Sequence, residues 1–365
     1  MAEQWQDLLD RWQRAGIVDL ETVSRIREFQ AAQPATGPRA WAVWVALAFG
    51  GIALAAGVFL FVAAHWDGMS PAARMTLVVM MVALFHGAGI WFRDSGAFRT
   101  LFHALGTLSV GAAIVLTAQI FNIEEHWATG TLLWALAAAT GWLLLRDWPQ
   151  GLMLAILAPV WLIGEWLKAM RPGVASEQVL LLFTILLALI YITNQVGDEA
   201  LCVSLRVAGA IAVFPVFATL IAEQAHHAPE WTVLLAGGWV LAIVLPAALA
   251  FGVRVTPWWA SFAMAAWVAP LVLMPDDWRL ARYGWAALGW VVFVSWAVKF
   301  GSVLRVNLGV IGFALTIVVF YFSSVMDKLG RSLSLISLGI LFLGGGWMLD
   351  RWRRRMISAI REGGQ

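Results

Sequence analysis

The sequence predicts an all-α fold: a polytopic transmembrane bundle of about twelve spans, preceded by a short amphipathic helical hairpin. Three observations predict it. Apolar blocks follow one another from Trp41 to Asp350, each close to the roughly 20 residues a helix needs to cross about 30 Å of hydrocarbon. The loops between them are too short to fold alone. Hydrophobic residues make up 61% of the chain and charged residues 13%, against roughly 45–50% and 25% in ordinary soluble domains. Water cannot be the solvent for that much apolar surface, so a lipid bilayer is the expected partner.

Residues 1–34 form the predicted cytoplasmic hairpin. Trp5, Leu8, Leu9 and Trp12 fall at helical spacing, Gly16 interrupts them, and Asp19 is an N-cap for a second helix. That helix carries Leu20, Val23, Ile26 and Phe29 on one side. So short a unit cannot bury a core of its own, so its apolar face calls for a second copy, the chain's own cytoplasmic loops or another protein. Six acids stand against four arginines in residues 1–30, which makes attraction to anionic lipid the weaker option. Residues 35–40 read as a linker.

The bundle occupies 41–350. Its expected spans are 41–64, 71–92, 101–121, 129–145, 148–167, 176–193, 201–222, 231–253, 257–274, 280–298, 305–325 and 332–350. Blocks 129–145 and 257–274 are the shortest, and the division between 280–298 and 305–325 is the least distinct. Many of the 23 tryptophans stand near block ends, among them Trp41, Trp66, Trp91, Trp127, Trp148, Trp231, Trp278 and Trp347, where indoles meet headgroups. A basic tail, 351–365, closes the chain. With twelve spans both termini share a side, and 17 of the 24 lysines and arginines fall on it. That bias places both termini in the cytoplasm.

Composition also excludes. A formal charge of +2 and no Lys/Arg run among the loops argue against nucleic acid. One cysteine, Cys202, allows no internal disulfide and no cysteine-rich metal site. No phosphate-binding, dinucleotide, zinc-protease or serine-hydrolase fingerprint occurs, and no space remains for a soluble catalytic domain. No cofactor is expected, and an enzyme is the weaker reading.

Polar residues within or beside the spans are the candidates for function. His86 and His103 lie in antiparallel spans at a similar depth near the cytoplasmic boundary. They suit a proton relay or a weak metal site, and equally two neutral imidazoles bonded to neighbouring helices. An outer rim gathers Gln119, Asn122, Glu124, Glu125 and His126, with Glu223, His226 and His227 in another outer loop. Carboxylates and imidazoles of this kind hold divalent ions or bind a substrate at an outward mouth; in a solvated loop they need no ligand at all. Two outer turns share a pattern, Asp67 followed by Arg74 and Asp327 followed by Arg331. This is either a relic of duplication or an easily evolved turn. Pro159, Pro215, Pro246 and Pro270 lie inside spans and are candidates to kink or break them. Arg206 is placed to snorkel to the cytoplasmic face, and Glu165 and Glu177 to pair with Lys168 and Arg171. Small residues at Ala53 and Gly57, at Gly106, Ser109 and Ala113, and at Gly339 and Gly344 to Gly346 mark expected close helix contacts.

Several stretches resemble a known family. Leu8-Leu9 through Gly16-Ile17-Val18-Asp19, the turn from Phe61 to Arg74, and Ala118-Gln119-Ile120-Phe121-Asn122-Ile123 followed by Leu132-Leu133-Trp134-Ala135-Leu136 are similar to the bacterial predicted membrane proteins catalogued as domain of unknown function 2157. Arg305-Val306-Asn307-Leu308-Gly309, Asp327, Leu329-Gly330-Arg331-Ser332 and the arginine-rich tail resemble the end of related proteins. The resemblance implies a multi-pass protein of the bacterial inner membrane and brings no reaction, substrate or catalytic residue.

Two functions follow as expectations. One is a transporter or flippase-like carrier; the other is a structural or regulatory membrane protein that docks a partner through its hairpin. An intramembrane enzyme acting on lipid or a polyprenyl-linked substrate is a third. A polar cavity near the midplane, lined by broken helices, would mark a transporter; tight Leu, Ala and Trp packing would favour the scaffold.

Overall fold

In a computed structural model, every regular element among the described residues is helical. The description covers residues 11–32, 68–123, 126–170, 174–222, 232–252 and 258–325, with isolated positions elsewhere (9, 49–50, 53, 57, 60, 64, 254, 256, 339, 344–347, 351–352 and 354). The helices are α1 (Leu20–Ala32), α2 (Pro71–Trp91), α3 (Gly96–Ile120), α4 (Trp127–Leu145), α5 (Trp148–Ala169) and α6 (Val174–Thr193). They continue as α7 (Glu199–Ala222), α8 (Val233–Gly252), α9 (Trp258–Leu273), α10 (Arg279–Lys299) and α11 (Val303–Phe320), which runs into a π turn, Tyr321–Val325. Helices α2 to α11 fall on the apolar blocks from 71–92 to 305–325; of blocks 41–64 and 332–350 only those isolated positions are described.

Seven of these helices are long and apolar enough to cross a membrane: α2, α3, α4, α5, α7, α8 and α11 with its π turn. Glu177–Thr193 of α6 and Trp259–Leu273 of α9 are shorter apolar helices. The sequence reading starts the third span at 101, but α3 begins at Gly96, with the Arg99 N–H already bonded to the Ser95 carbonyl at 2.9 Å. An apolar window stops at a charged residue; the backbone ladder does not.

The chain forms two compact units, Met1–Ser109 and Val110–Gln365, and the boundary falls inside α3. In the first unit, α1 starts as its sequence suggests. The Asp19 carboxylate accepts from the Thr22 hydroxyl and N–H, and those bonds hold it below the usual carboxylate range. Gly16, at φ +72°, makes the preceding turn. Val23 is buried on α1, but Leu20 and Phe29 of the same stripe are exposed. Ser70 caps α2 by accepting from the Ala73 N–H at 3.3 Å, and Pro71 stands in the first turn, where its missing N–H costs nothing.

In the second unit, α6 is the hub. It packs against α5, α7, α8 and α9, and Leu182, Ile185 to Ile190 and Ile192 are all buried. Helices α4 and α5 form one antiparallel hairpin and α10 and α11 another. The turn between α10 and α11 is made by Gly301 at φ +64°, with the Ser302 N–H returning to the Ala297 carbonyl at 3.0 Å. That left-handed glycine divides the two blocks that hydropathy leaves nearly fused.

The four intrahelical prolines do not break their helices. Helices α5, α7, α8 and α9 run through Pro159, Pro215, Pro246 and Pro270 respectively, as neighbouring helices and local adjustment allow in membrane bundles.

Tryptophan divides into two populations. Trp91, Trp127 and Trp278 are exposed near helix ends, where an aromatic belt would lie. Others are seated on glycines of neighbouring helices: Trp134 on Gly111, Trp166 on Gly238, Trp267 on Gly289 and Trp290 on Gly312. Each glycine lacks the Cβ that would collide with the indole, so flat rings enter where lipid-exposed helices otherwise have only dispersion to hold them. For Gly57, Gly339 and Gly344 to Gly346, a Cβ would meet nothing within 4 Å among the described residues.

Candidate functional site

His86 of α2 and His103 of α3 meet in the first unit. Their Nδ1 atoms are 3.1 Å apart, with ring centroids at 5.4 Å. Each ring also lies over the other helix's glycine. A Cβ on Gly106 would fall 2.7 Å from the His86 ring, and one on Gly89 would fall 2.8 Å from the His103 ring. The seat is reciprocal: His86 and Gly89, like His103 and Gly106, are one helical turn apart on antiparallel helices. An N–H···N bond of this length requires unlike partners, one ring donating from Nδ1 and the other accepting there. The pair is therefore asymmetric when neutral, and it can carry one added proton without parting.

The outer rim is only partly described. Gln119 is exposed on α3, and Asn122 follows it at φ +49°, the left-handed conformation that asparagine tolerates at a helix end. His126 precedes α4 and donates from Nε2 to the Gly164 carbonyl of α5 at 3.0 Å. Beside it, Trp127 and Ala128 pack on Gly164. His126 thus ties two helices together. Glu124, Glu125, Glu223, His226 and His227 lie outside the described residues, as do Asp67, Asp327 and Arg331 of the paired turns; Arg74 stands in the first turn of α2, half-buried. Among the described residues no three potential ligands converge on a metal position. Neither Glu165, which lies one turn before Lys168 on α5, nor Glu177 of α6 forms an ion pair with Lys168 among the described residues, and Arg171 lies outside them.

A cavity of about 350 Å³ forms a slot between α9 and α10. Trp259 and Trp267 line it from α9, Trp285, Phe293 and Trp296 from α10, and Thr193 from the end of α6. The Trp285 indole donates to the Trp267 carbonyl at 2.7 Å, bracing the wall. The Trp267 Nε1 is buried and makes no hydrogen bond, as is the Nε1 of Trp290 behind it. A second cavity of about 230 Å³ lies among α5, α6 and α8, lined by Leu162, Trp166, Phe183 and Leu241 with Glu165. Both are apolar.

At the Thr193 and Trp296 end of the slot stands Arg305, in the first turn of α11 and only 7% exposed. Its Nε donates to the Ile192 carbonyl at 3.3 Å, and its Nη2 donates to those of Thr193 at 3.5 Å and Asn194 at 2.7 Å. These are the last carbonyls of α6, orphaned by helix geometry and carrying the negative end of its dipole. The guanidinium carbon also sits 5.1 Å from the Trp296 ring centroid. Asn194, fully buried, accepts the Cys202 thiol at 2.7 Å and so fixes the start of α7 against the same point. Arg282 repeats the device in α10, donating from Nη2 to the Met274 carbonyl at 2.8 Å just beyond α9.

In the charge tally Arg305 counts on the cytoplasmic side, and hydropathy alone does not show the slot. A signal existed: Arg206 and Arg305 stand inside apolar blocks, with no acid within four residues of either.

Residues 10–150 match the family described as Predicted membrane protein (DUF2157). The matched stretch contains the histidine pair and stops before the slot. No curated protein matches the chain, and no solved structure does.

Proposed function

We propose, taking that family match as the premise, that this membrane protein is a flippase-like carrier whose cargo is an amphiphile with an apolar body. The observation that carries the reading is the slot between α9 and α10, since a large apolar pocket with few convergent polar groups is where a ligand is first sought. A hydrated solute would need polar walls to replace its water, because burying unpaired polar groups costs several kcal/mol each in order of magnitude. Tryptophan, alanine and phenylalanine walls offer no such replacement; an acyl or isoprenoid chain needs none. Filling the slot tests this. In proteoliposomes, the wild type should move a fluorescent lipid between leaflets faster than protein-free vesicles, and Ala263→Phe, which places a ring in the slot, should lose that movement. Equal rates in wild-type and empty vesicles would overturn the carrier reading.

The same proposal includes a topology. The chain has twelve spans in a bacterial inner membrane, with both termini, the hairpin 1–34, the linker 35–40 and the tail 351–365 in the cytoplasm and the bundle at 41–350. The lysine and arginine bias supports it.

A second reading, partner docking through the hairpin, is favoured by one observation. Ile17, Leu20 and Phe29 are 71%, 72% and 64% exposed, an unusual apolar expense for a small helical unit. Unaltered pull-down partners and oligomeric state after deletion of residues 1–34 would count against it.

A further inference from the structure

We infer that the slot is the tail half of a site for an anionic phospholipid of the cytoplasmic leaflet, whose phosphate is received by Arg305 and Arg206. This rests on the slot of the proposed carrier and adds the chemistry of the headgroup.

Charge is the first argument. Arg305 is buried at a helix end, α11 packs on α7, and Arg206 of α7 is close enough to act on Arg305 as a like charge; among the described residues no carboxylate pairs with either. Asp198 and Glu199, the acids nearest Arg206 in sequence, do not pair with it; Asp198 caps α7 by accepting from the Leu201 N–H at 3.0 Å. The α6 terminus supplies about half a negative charge, so two cations share a compensation too small for one. Like charges held together at a membrane boundary call for an anion, and basic pockets between cytoplasmic helix ends are where lipid phosphates bind.

Donors are the second argument. Arg305 commits Nε and Nη2 to carbonyls, and none of those bonds uses Nη1. The Nε of Arg206 is buried without a partner. Guanidinium edges of this kind match phosphate oxygens in geometry as well as charge.

Continuity is the third. Trp296 and Thr193 line the slot, and both touch Arg305, one through its ring and one through its carbonyl. An apolar slot with a guanidinium directly behind two of its wall residues has the polarity of a phospholipid and of no free anion. On the topology proposed above, the Arg305 end faces the cytoplasmic leaflet.

The test uses the purified full chain in detergent, with native mass spectrometry counting retained lipids. Phosphatidylglycerol is compared with phosphatidylcholine, and inorganic phosphate is added as a third probe in a thermal-shift assay. The wild type should retain phosphatidylglycerol in preference. Arg206→Gln, which leaves the α6 cap intact, should lower that preference about fivefold, as expected for one arginine near a lipid surface, with phosphatidylcholine retention unchanged. Arg305→Lys keeps a charge if the cap proves essential for folding, and should lower the preference to a smaller degree. Ala263→Phe should reduce retention of both lipids. Headgroup preference untouched by Arg206→Gln and Arg305→Lys, with Ala263→Phe still effective, overturns the inference while leaving the slot standing. Retention of both lipids undiminished by Ala263→Phe overturns the slot itself. Thermal stabilisation by inorganic phosphate equal to that by phosphatidylglycerol overturns the lipid and leaves a soluble-anion site.

Discussion

With 3.1 Å between their Nδ1 atoms, His86 and His103 share one hydrogen. A first added proton makes one ring an imidazolium that still donates to its neutral neighbour. A second leaves two N–H groups facing each other between apolar helices, and the contact must open. The stabilising bond therefore survives the first added proton and is lost only in acid strong enough to add the second. The wild-type protein in detergent should melt lower in such acid than at pH 7.5, and a His86→Gln/His103→Gln double variant should lack that component of the decline. Other histidines and acids titrate over the same range, so the difference between the two proteins is the measurement. Identical pH dependence would remove the pair's role. Sequence already placed these two residues at one depth in neighbouring spans. It also contained a sharper signal, His-x-x-Gly written once in each of two antiparallel helices, whose meaning appears only when both glycines are seen under the opposite ring.

At the scale of helices, the recurring device is an indole seated on a glycine, and adjacent residues test it. Gly238 of α8 faces the Trp166 ring, whereas a Cβ on Gly237 would meet nothing within 4 Å. Gly238→Ala forces the indole or its helix to move and should cost about 1–3 kcal/mol, the usual range for overpacking. Gly237→Ala should be neutral or gain up to about 1 kcal/mol from helix propensity. Thermal or detergent unfolding of the two variants decides, and equal effects would mean that backbone preference, not ring seating, sets these glycines. None of the seats was legible beforehand. Helix positions follow from hydropathy and caps such as Asp19, Ser70 and Gly301, all local signals. Which tryptophan meets which glycine depends on the relative rotation of helices up to 72 residues apart, as with Trp166 and Gly238, and one-dimensional periodicity carries no such register. For the same reason Arg305 reads as a surface charge until α6, more than 100 residues earlier, is seen to end beneath it.

For the molecule as a whole, orientation is the quantity on which the leaflet assignment of the slot depends. The charge tally that sets it is robust to the arginines that proved structural. Arg305 is counted on the terminal side and Arg282 on the other, and both are buried against helix ends; removing both leaves the bias nearly as it was. Short loops weigh most in this rule, and the loop between α2 and α3 is short, with Arg93 and Asp94 exposed in it and Arg99 in the first turn of α3. Reporter fusions after residue 94 and after residue 365 should therefore both be active on the cytoplasmic side, and a fusion after residue 123, beyond α3, on the opposite side. The first two reporting from opposite faces would require an odd number of spans between them. With the odd span lying between residues 94 and 305, the Arg305 end of the slot would move to the outer leaflet, where the anionic surface potential that favours its lipid is absent.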